Sequence, residues 1–222
     1  LSHPTVHRIV KVLIEEGAVE QDPRSRRYLI GPEIGLLGLA RTSRFPIRAI
    51  AEPYLHSLGH EVGDTVFLSV RHGADSVCIQ RTLGSHPIQV LSIEIGARRP
   101  LGASVSGVAI LSCLDAHRAG SVTQGNEVRL ARLGFGIGDV LDRVEQARRL
   151  GYAYSTAGVM KGTRAVAVPV HDERGGLLAA ISIAALSDRL QPDRVDAVVG
   201  LMQDHARMIT RRHAEVERAR RR

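Results

Sequence analysis

The chain has 222 residues, enough for one large or two small domains; 44% of them are hydrophobic, ample for a core, though aromatics are only 3% and Trp is absent. It has no run of about 20 apolar residues and no charged-then-apolar leader, so a cytoplasmic chain is expected, neither membrane-spanning nor exported. The net charge of +7 sits at the ends: residues 1–48 hold 8 basic and 5 acidic side chains, 49–206 hold 15 and 16, and 207–222 hold 7 and 2. Twenty-eight of the thirty basic residues are Arg, which weakens any argument from one particular Arg, and a basic end alone is a weak sign of nucleic acid. Cys78 and Cys113 stand apart in apolar surroundings and read as buried free thiols in a reducing compartment.

The first element is a helix. Ser2 can cap it, and Pro4 is tolerated in a first turn where its missing N–H has no partner to lose. Val6, Ile9, Val10 and Leu13 recur at i, i+3, i+4 and i+7 and form a stripe to be buried, with His7, Arg8, Lys11 and Glu15 opposite. Gly17 ends the helix. Two short strands follow, Ala18–Gln21 and Tyr28–Ile30, joined by a turn carrying Asp22-Pro23 and the arginines Arg24, Arg26 and Arg27. A helix with a basic face running into an arginine-tipped hairpin has the shape of a winged helix-turn-helix, whose helix enters the major groove while the wing follows phosphates.

These residues, in this order, resemble the DNA-binding half of the IclR family of bacterial transcription regulators: Ser-x-x-Thr-Val-His-Arg, an apolar helix, Gly, then Val-Glu-Gln-Asp-Pro and Arg-Tyr-x-x-Gly-Pro. The resemblance continues over nearly the whole chain. The family's winged domain has further helices before the recognition helix, and the chain starts at Leu1 without room for them. The reading is therefore a domain truncated at its N-terminus, since one helix and a hairpin could not bury the Val6/Ile9/Val10/Leu13 stripe.

Pro32 opens a second helix, Glu33 to Arg44, with Ile34, Leu36, Leu37 and Leu39 over much of its surface. An apolar helix between domains needs a partner: in the resembling family this linker helps to dimerise the DNA-binding domains, while packing on its own wing is the alternative. The domain boundary falls at Phe45-Pro46, which breaks the helix, giving a winged domain over 1–31, a linker over 32–48 and an effector-binding and oligomerisation domain over 49–222.

The second domain opens with a helix over Ile47–Val62. Strands are expected over Asp64–Arg71 and Ser76–Leu83, joined by a turn at His72–Asp75, and over Ile88–Ile95. Helices follow over Ser104–Leu114, Glu127–Leu133 and Gly138–Leu150. Strands are then expected over Ala153–Thr156, Arg164–His171 and Leu177–Ala185. Pro192 opens the last helix, striped by Val195, Val198, Met202, His205 and Ile209, whose Arg-rich end from Arg211 reads as solvated helix or disorder, with phosphate contact a lesser option. The layout is α+β, and its element order resembles the GAF-like sensing domain of the IclR family.

No enzyme motif is present: there is no Gly-x-Ser-x-Gly, P-loop, dinucleotide fingerprint or Cys-x-x-Cys. His3/His7 and His56/His60 have the i, i+4 spacing of helical metal ligands but no accompanying carboxylate, so no metal and no cofactor are expected. Gly134–Gly138 is glycine-rich but follows no strand, and reads as a loop.

The resemblance implies a small-molecule cup between the sheet and the helix after the third strand. Onto it map Ile88, Leu91, Leu101, Ser104, Val105, Ser106, Ser155, Ala165, Ser182 and Ala184. Ser104–Gly107 lies at a helix start, whose free N–H groups and dipole suit a carboxylate. Several positions depart from the family pattern: Ser155 replaces an acid, Ala165 a Cys, Gly102 a His, Val108 a Lys and Ala184 a Ser, while Ser182 is kept. The expected result is a roomier, less polar pocket for an aromatic or longer-chain metabolite rather than a pyruvate-sized acid. Each serine alone could equally be a strand or cap residue.

The function expected is ligand-responsive transcription regulation. Ser2, His3, Thr5, His7, Arg8 and Lys11 would approach bases, and Arg24, Arg26 and Arg27 would hold phosphates. A homodimer, or a dimer of dimers, would bind a palindromic double-stranded operator. The rival readings are an enzyme or small-molecule carrier with a vestigial winged domain, which needs a positioned base–nucleophile pair, and a structural DNA-binding protein that ignores ligands.

Overall fold

A computed structural model describes residues 1–40, 46–156 and 160–220, with the side chains of 38–40 excepted. Its contacts divide the chain into two compact units, Leu1–Pro46 and Ile47–Arg222.

The first unit runs α1 (His3–Glu15), β1 (Val19–Gln21), β2 (Tyr28–Ile30) and α2 (Pro32–Ala40). Ser2 occupies the N-cap position with extended backbone, but its hydroxyl meets Thr5 Oγ1 at 2.8 Å and makes no cap to a backbone N–H, contrary to expectation. Gly17 takes φ +65 where α1 ends, and the Ala18 N–H donates to the Leu13 carbonyl. β1 and β2 pair antiparallel from Val19↔Ile30 to Gln21↔Tyr28. Gly31 lies so close behind this hairpin that a Cβ there would stand 2.0 Å from the Gly17 carbonyl oxygen. In the turn, the Asp22 carboxylate accepts from the Arg24 N–H and the Ser25 hydroxyl, and these bonds lower its pKa.

The α1 stripe is not buried. Val6, Ile9 and Leu13 are 43%, 44% and 38% exposed, and no residue of α1 is buried. One helix and two three-residue strands offer too little surface to cover it. Beyond Ala40, the expected linker positions 41–45, including the break at Phe45, lie outside the described residues.

The second unit runs α3 (Pro46–Val62), β3 (Thr65–His72), β4 (Asp75–Thr82), β5 (Arg98–Pro100), α4 (Val105–Ser112), α5 (Ala116–Gly125), α6 (Glu127–Ala131), α7 (Ile137–Leu150), β6 (Ala153–Ser155), β7 (Thr163–His171), β8 (Leu177–Leu186) and α8 (Pro192–Arg220). The six strands form one antiparallel sheet in the order β5-β4-β3-β8-β7-β6, so this is an α+β fold with a GAF-like layout.

Strand alternation sorts the side chains into two cores. Val66, Leu68, Val70, Val166, Val168, Ile181 and Ile183 pack with α3 and α8. On the other side Ala167 and Ala180 meet α4 and α7, with Leu101, Val108, Leu111, Val140 and Val144. Branched side chains thus fill one face, while small ones let α4 approach the other. A buried ionic anchor adds to the first layer: Asp64, 3% exposed, accepts from Arg189 at 2.7 Å and Arg194 at 3.0 Å.

Two expectations are corrected. Residues 88–95 form no strand, because Gln89 is drawn into loop bonds with Thr65 Oγ1 and the backbone of Gly63, Gly84 and His86. The fifth strand is instead Arg98–Pro100, paired with β4. A helix not expected, α5, is capped by the Asp115 carboxylate on the Arg118 N–H. The last helix keeps its form to Arg220, with Ala214 buried and Arg218 paired to Glu173 of the β7–β8 turn.

Candidate functional site

The cavity that gathers most of the expected effector residues lies where α4 begins against the α4-facing side of the sheet. Ser155, Ala165 and Ala184 stand in one cross-strand row over β6, β7 and β8, and Ser182 lies in the next row opposite Ala167. Ser104 is the N-cap of α4: its hydroxyl accepts from the Gly107 N–H at 3.2 Å and lies 3.0 Å from the Ser106 hydroxyl. These residues, with Val105, line a cavity of ≈ 190 Å³. Ser182 is 5% exposed and lines it without a hydrogen-bond partner among the described residues. A hydroxyl in that state, on a cavity wall, has capacity for a guest's polar group.

Three expected residues are elsewhere. Ile88 and Leu91 are 59% and 51% exposed on the loop that replaces the expected strand, and Leu101 is fully buried with Leu130 and Val140 in the second core. Gly102 is also outside the cavity. It takes φ +100, and a Cβ there would stand 2.6 Å from a Val140 methyl, so the small residue serves backbone packing and does not widen the pocket.

Two arginines outside the expected effector residues also line the cavity, although the resemblance maps the segment 99–107, which Arg99 opens, onto it. Arg99 comes from β5 and Arg143 from α7. Arg143 donates to the Gly102 carbonyl at 3.2 Å and lies over the Phe135 ring, 5.3 Å from its centre. Burial pushes its guanidinium below the ordinary arginine value against the opposing pull of Asp139, and it stays a cation at neutral pH. Neither arginine has an ion-pair partner among the described residues, and no Asp or Glu is among those that line the cavity. The pocket is therefore smaller than the ~300–1,000 Å³ of drug-sized sites and more cationic than the substitutions at 155, 165 and 184 suggested.

In the first unit, Ser2, His3, His7, Arg8 and Lys11 are exposed on α1 and Thr5 is half-buried. His7, Arg8 and Lys11 border a groove shared with Gln21 and Tyr28 of the hairpin. Arg24, Arg26 and Arg27 are exposed at the turn, and neither they nor Arg8 have an ion-pair partner among the described residues. Arg26 holds φ +58, its N–H donating to the Asp22 carbonyl, which fixes the turn that presents the three guanidiniums.

A nucleophile–base contact does occur, between Cys113 Sγ and His171 Nε2 at 3.4 Å. Burial raises the pKa of this thiol, as it does for Cys78, so both are poor nucleophiles at neutral pH. No group of three metal-ligating side chains and no helix long and apolar enough to cross a membrane occurs among the described residues.

Comparison with known proteins agrees with this architecture. The family described as "Bacterial transcriptional regulator IclR C-terminal" matches residues 39–211. The glycerol operon regulatory protein of Streptomyces griseus is 27% identical over 214 residues, covering 95% of this chain and 84% of its own. The HTH-type transcriptional repressor AllR of Escherichia coli K12 is 29% identical over 208 residues, covering 93% and 76%. In fold, the chain superposes on an IclR family transcriptional regulator from Brucella abortus with a TM-score of 0.77 at 23% identity, over 95% of this chain and 80% of that one. The match over 39–211 spans most of the sequence, and the chain belongs to the IclR family of bacterial transcriptional regulators.

Proposed function

We propose that this regulator binds a double-stranded, palindromic operator through a winged helix-turn-helix to which α1 and the β1–β2 hairpin belong, and that a small organic acid or aromatic metabolite in the α4 cavity controls that binding. The observation that carries the effector half is the cavity at the start of α4, with the Ser182 hydroxyl lining it and unpartnered among the described residues. The DNA half is supported by the unpaired Arg8, Arg24, Arg26 and Arg27, and by the words "HTH-type transcriptional repressor" in the name of the 29%-identical relative. In this reading α1 sets Thr5, His7, Arg8 and Lys11 toward base edges, with Ser2 and His3 at its start, and the hairpin arginines neutralise phosphates. A cytoplasmic homodimer, or a dimer of dimers, places two half-sites a helical turn or so apart. The effector acts only as far as it binds one arrangement of the winged domains better than the other, with the segment around 32–48 between them.

Fluorescence anisotropy of the full chain on DNA upstream of its own gene and neighbouring operons tests this. Salt-sensitive, sequence-selective binding is expected, and each of Arg24→Ala, Arg26→Ala and Arg27→Ala flattens the log Kd versus log salt slope by about 0.9. Binding that ignores sequence and salt would end the reading.

A further inference from the structure

The α4 cavity carries two cations with no ion pair among the described residues and no carboxylate in its wall, and their placement points to the class of its guest. Arg99 enters from β5, the edge strand beside β4, and Arg143 from α7, two elements far apart in the chain. Arg143 is held by the Gly102 carbonyl and the Phe135 face, contacts that orient a guanidinium without balancing its charge. Arg99 offers its side chain with no ion-pair partner among the described residues. The same cavity is lined by the Ser104–Ser106 hydroxyl pair at the α4 N-terminus and by the Ser182 hydroxyl, which has no hydrogen bond among the described residues. The remaining wall is apolar, with Phe135, Val105 and Leu133 among its members. Leaving two charges half-buried and unmatched is unfavourable, and a guanidinium fork pairs best with a carboxylate.

We propose that the cavity selects a small dicarboxylate with an apolar or aromatic middle, one carboxylate held by Arg99 and the other by Arg143. The hydroxyls at Ser104, Ser106 and Ser182 supply the neutral hydrogen bonds, and Phe135 packs the middle. This rests on reading the cavity as the effector site.

The test is calorimetric titration of the full-length protein with matched acids: benzoate against the three phthalates, valerate against glutarate, and phenyl phosphate as a single doubly charged group. The matching dicarboxylate binds at least about ten-fold more tightly than its monoacid, as one charged hydrogen-bonding pair is worth. Arg99→Gln and Arg143→Gln each reduce that preference to about two-fold or less while the monoacid still binds, and Arg143→Lys restores part of it. If Arg143→Gln lowers the melting temperature, Arg99→Gln, whose side chain holds no neighbour, decides. Ala165→Phe fills the cavity and abolishes binding of both series. Monoacids binding as well as diacids, or phenyl phosphate binding best, would overturn the proposal and leave the effector reading in place. Failure of every acid, or binding untouched by Ala165→Phe, would overturn both.

Discussion

The two units place their apolar residues in opposite ways. In residues 47–222 a six-stranded sheet is covered on both faces, so Leu68 and Ile181 on one side and Val108 and Val140 on the other are 0–1% exposed. In residues 1–46 the helix with the clearest apolar stripe buries nothing, and Val6, Ile9, Tyr28, Leu29 and Ile30 all stand at 43% exposure or more. Among the described residues, the same periodic signal thus gives a core where other elements supply a facing surface and an open stripe where they do not. Amphipathicity states which face wants cover; only neighbouring structure supplies it.

That contrast makes core substitutions in the second unit the most costly. Leu68→Ala should lower its unfolding free energy by about 2–5 kcal/mol in denaturant titrations, whereas a loss under 1 kcal/mol would mean that the sheet is not packed on both faces. Asp64→Ala comes next, at about 2–3 kcal/mol. It strands Arg189 and Arg194, though these keep 28% and 33% exposure and so recover some hydration. Gly102→Ala, forced to φ +100 against Val140, should cost about 1–3 kcal/mol. A neutral result would return that position to the pocket argument.

The thiols sharpen the comparison by pH. Folding raises the Cys78 and Cys113 values above 9.0, so the folded chain holds these protons more tightly; stability from this source is whole below that pH and falls as pH rises through the folded values. Iodoacetamide at pH 8 should label native protein at least about ten-fold more slowly than urea-unfolded protein, and equal rates would show the thiols to be open. The smallest effect belongs to the first unit. Ile9→Ala should shift stability by no more than about 0.5 kcal/mol, and a larger loss would reveal a buried contact for the stripe.

The order of residues is enough to place the strands and helices with regular period. β3, β7, β8, α3 and α7 fall within a residue or two of their expected limits, because a two- or 3.6-residue repeat is visible without any partner. It also brought seven of the ten expected effector positions to one cavity, through strand alternation and the capping serine of α4. Tertiary structure alone decided the rest. Ile88–Ile95 has the composition of a strand, but Gln89 finds better partners in the loop, leaving Ile88 and Leu91 in solvent. Arg98–Pro100 has the composition of a turn, yet the free edge of β4 makes it a strand. Arg99 and Arg143 are 44 positions apart in a chain whose basic residues are nearly all Arg, so neither stands out along the sequence. Their meaning comes from what surrounds them in space: one cavity, and no carboxylate among the described residues that line it.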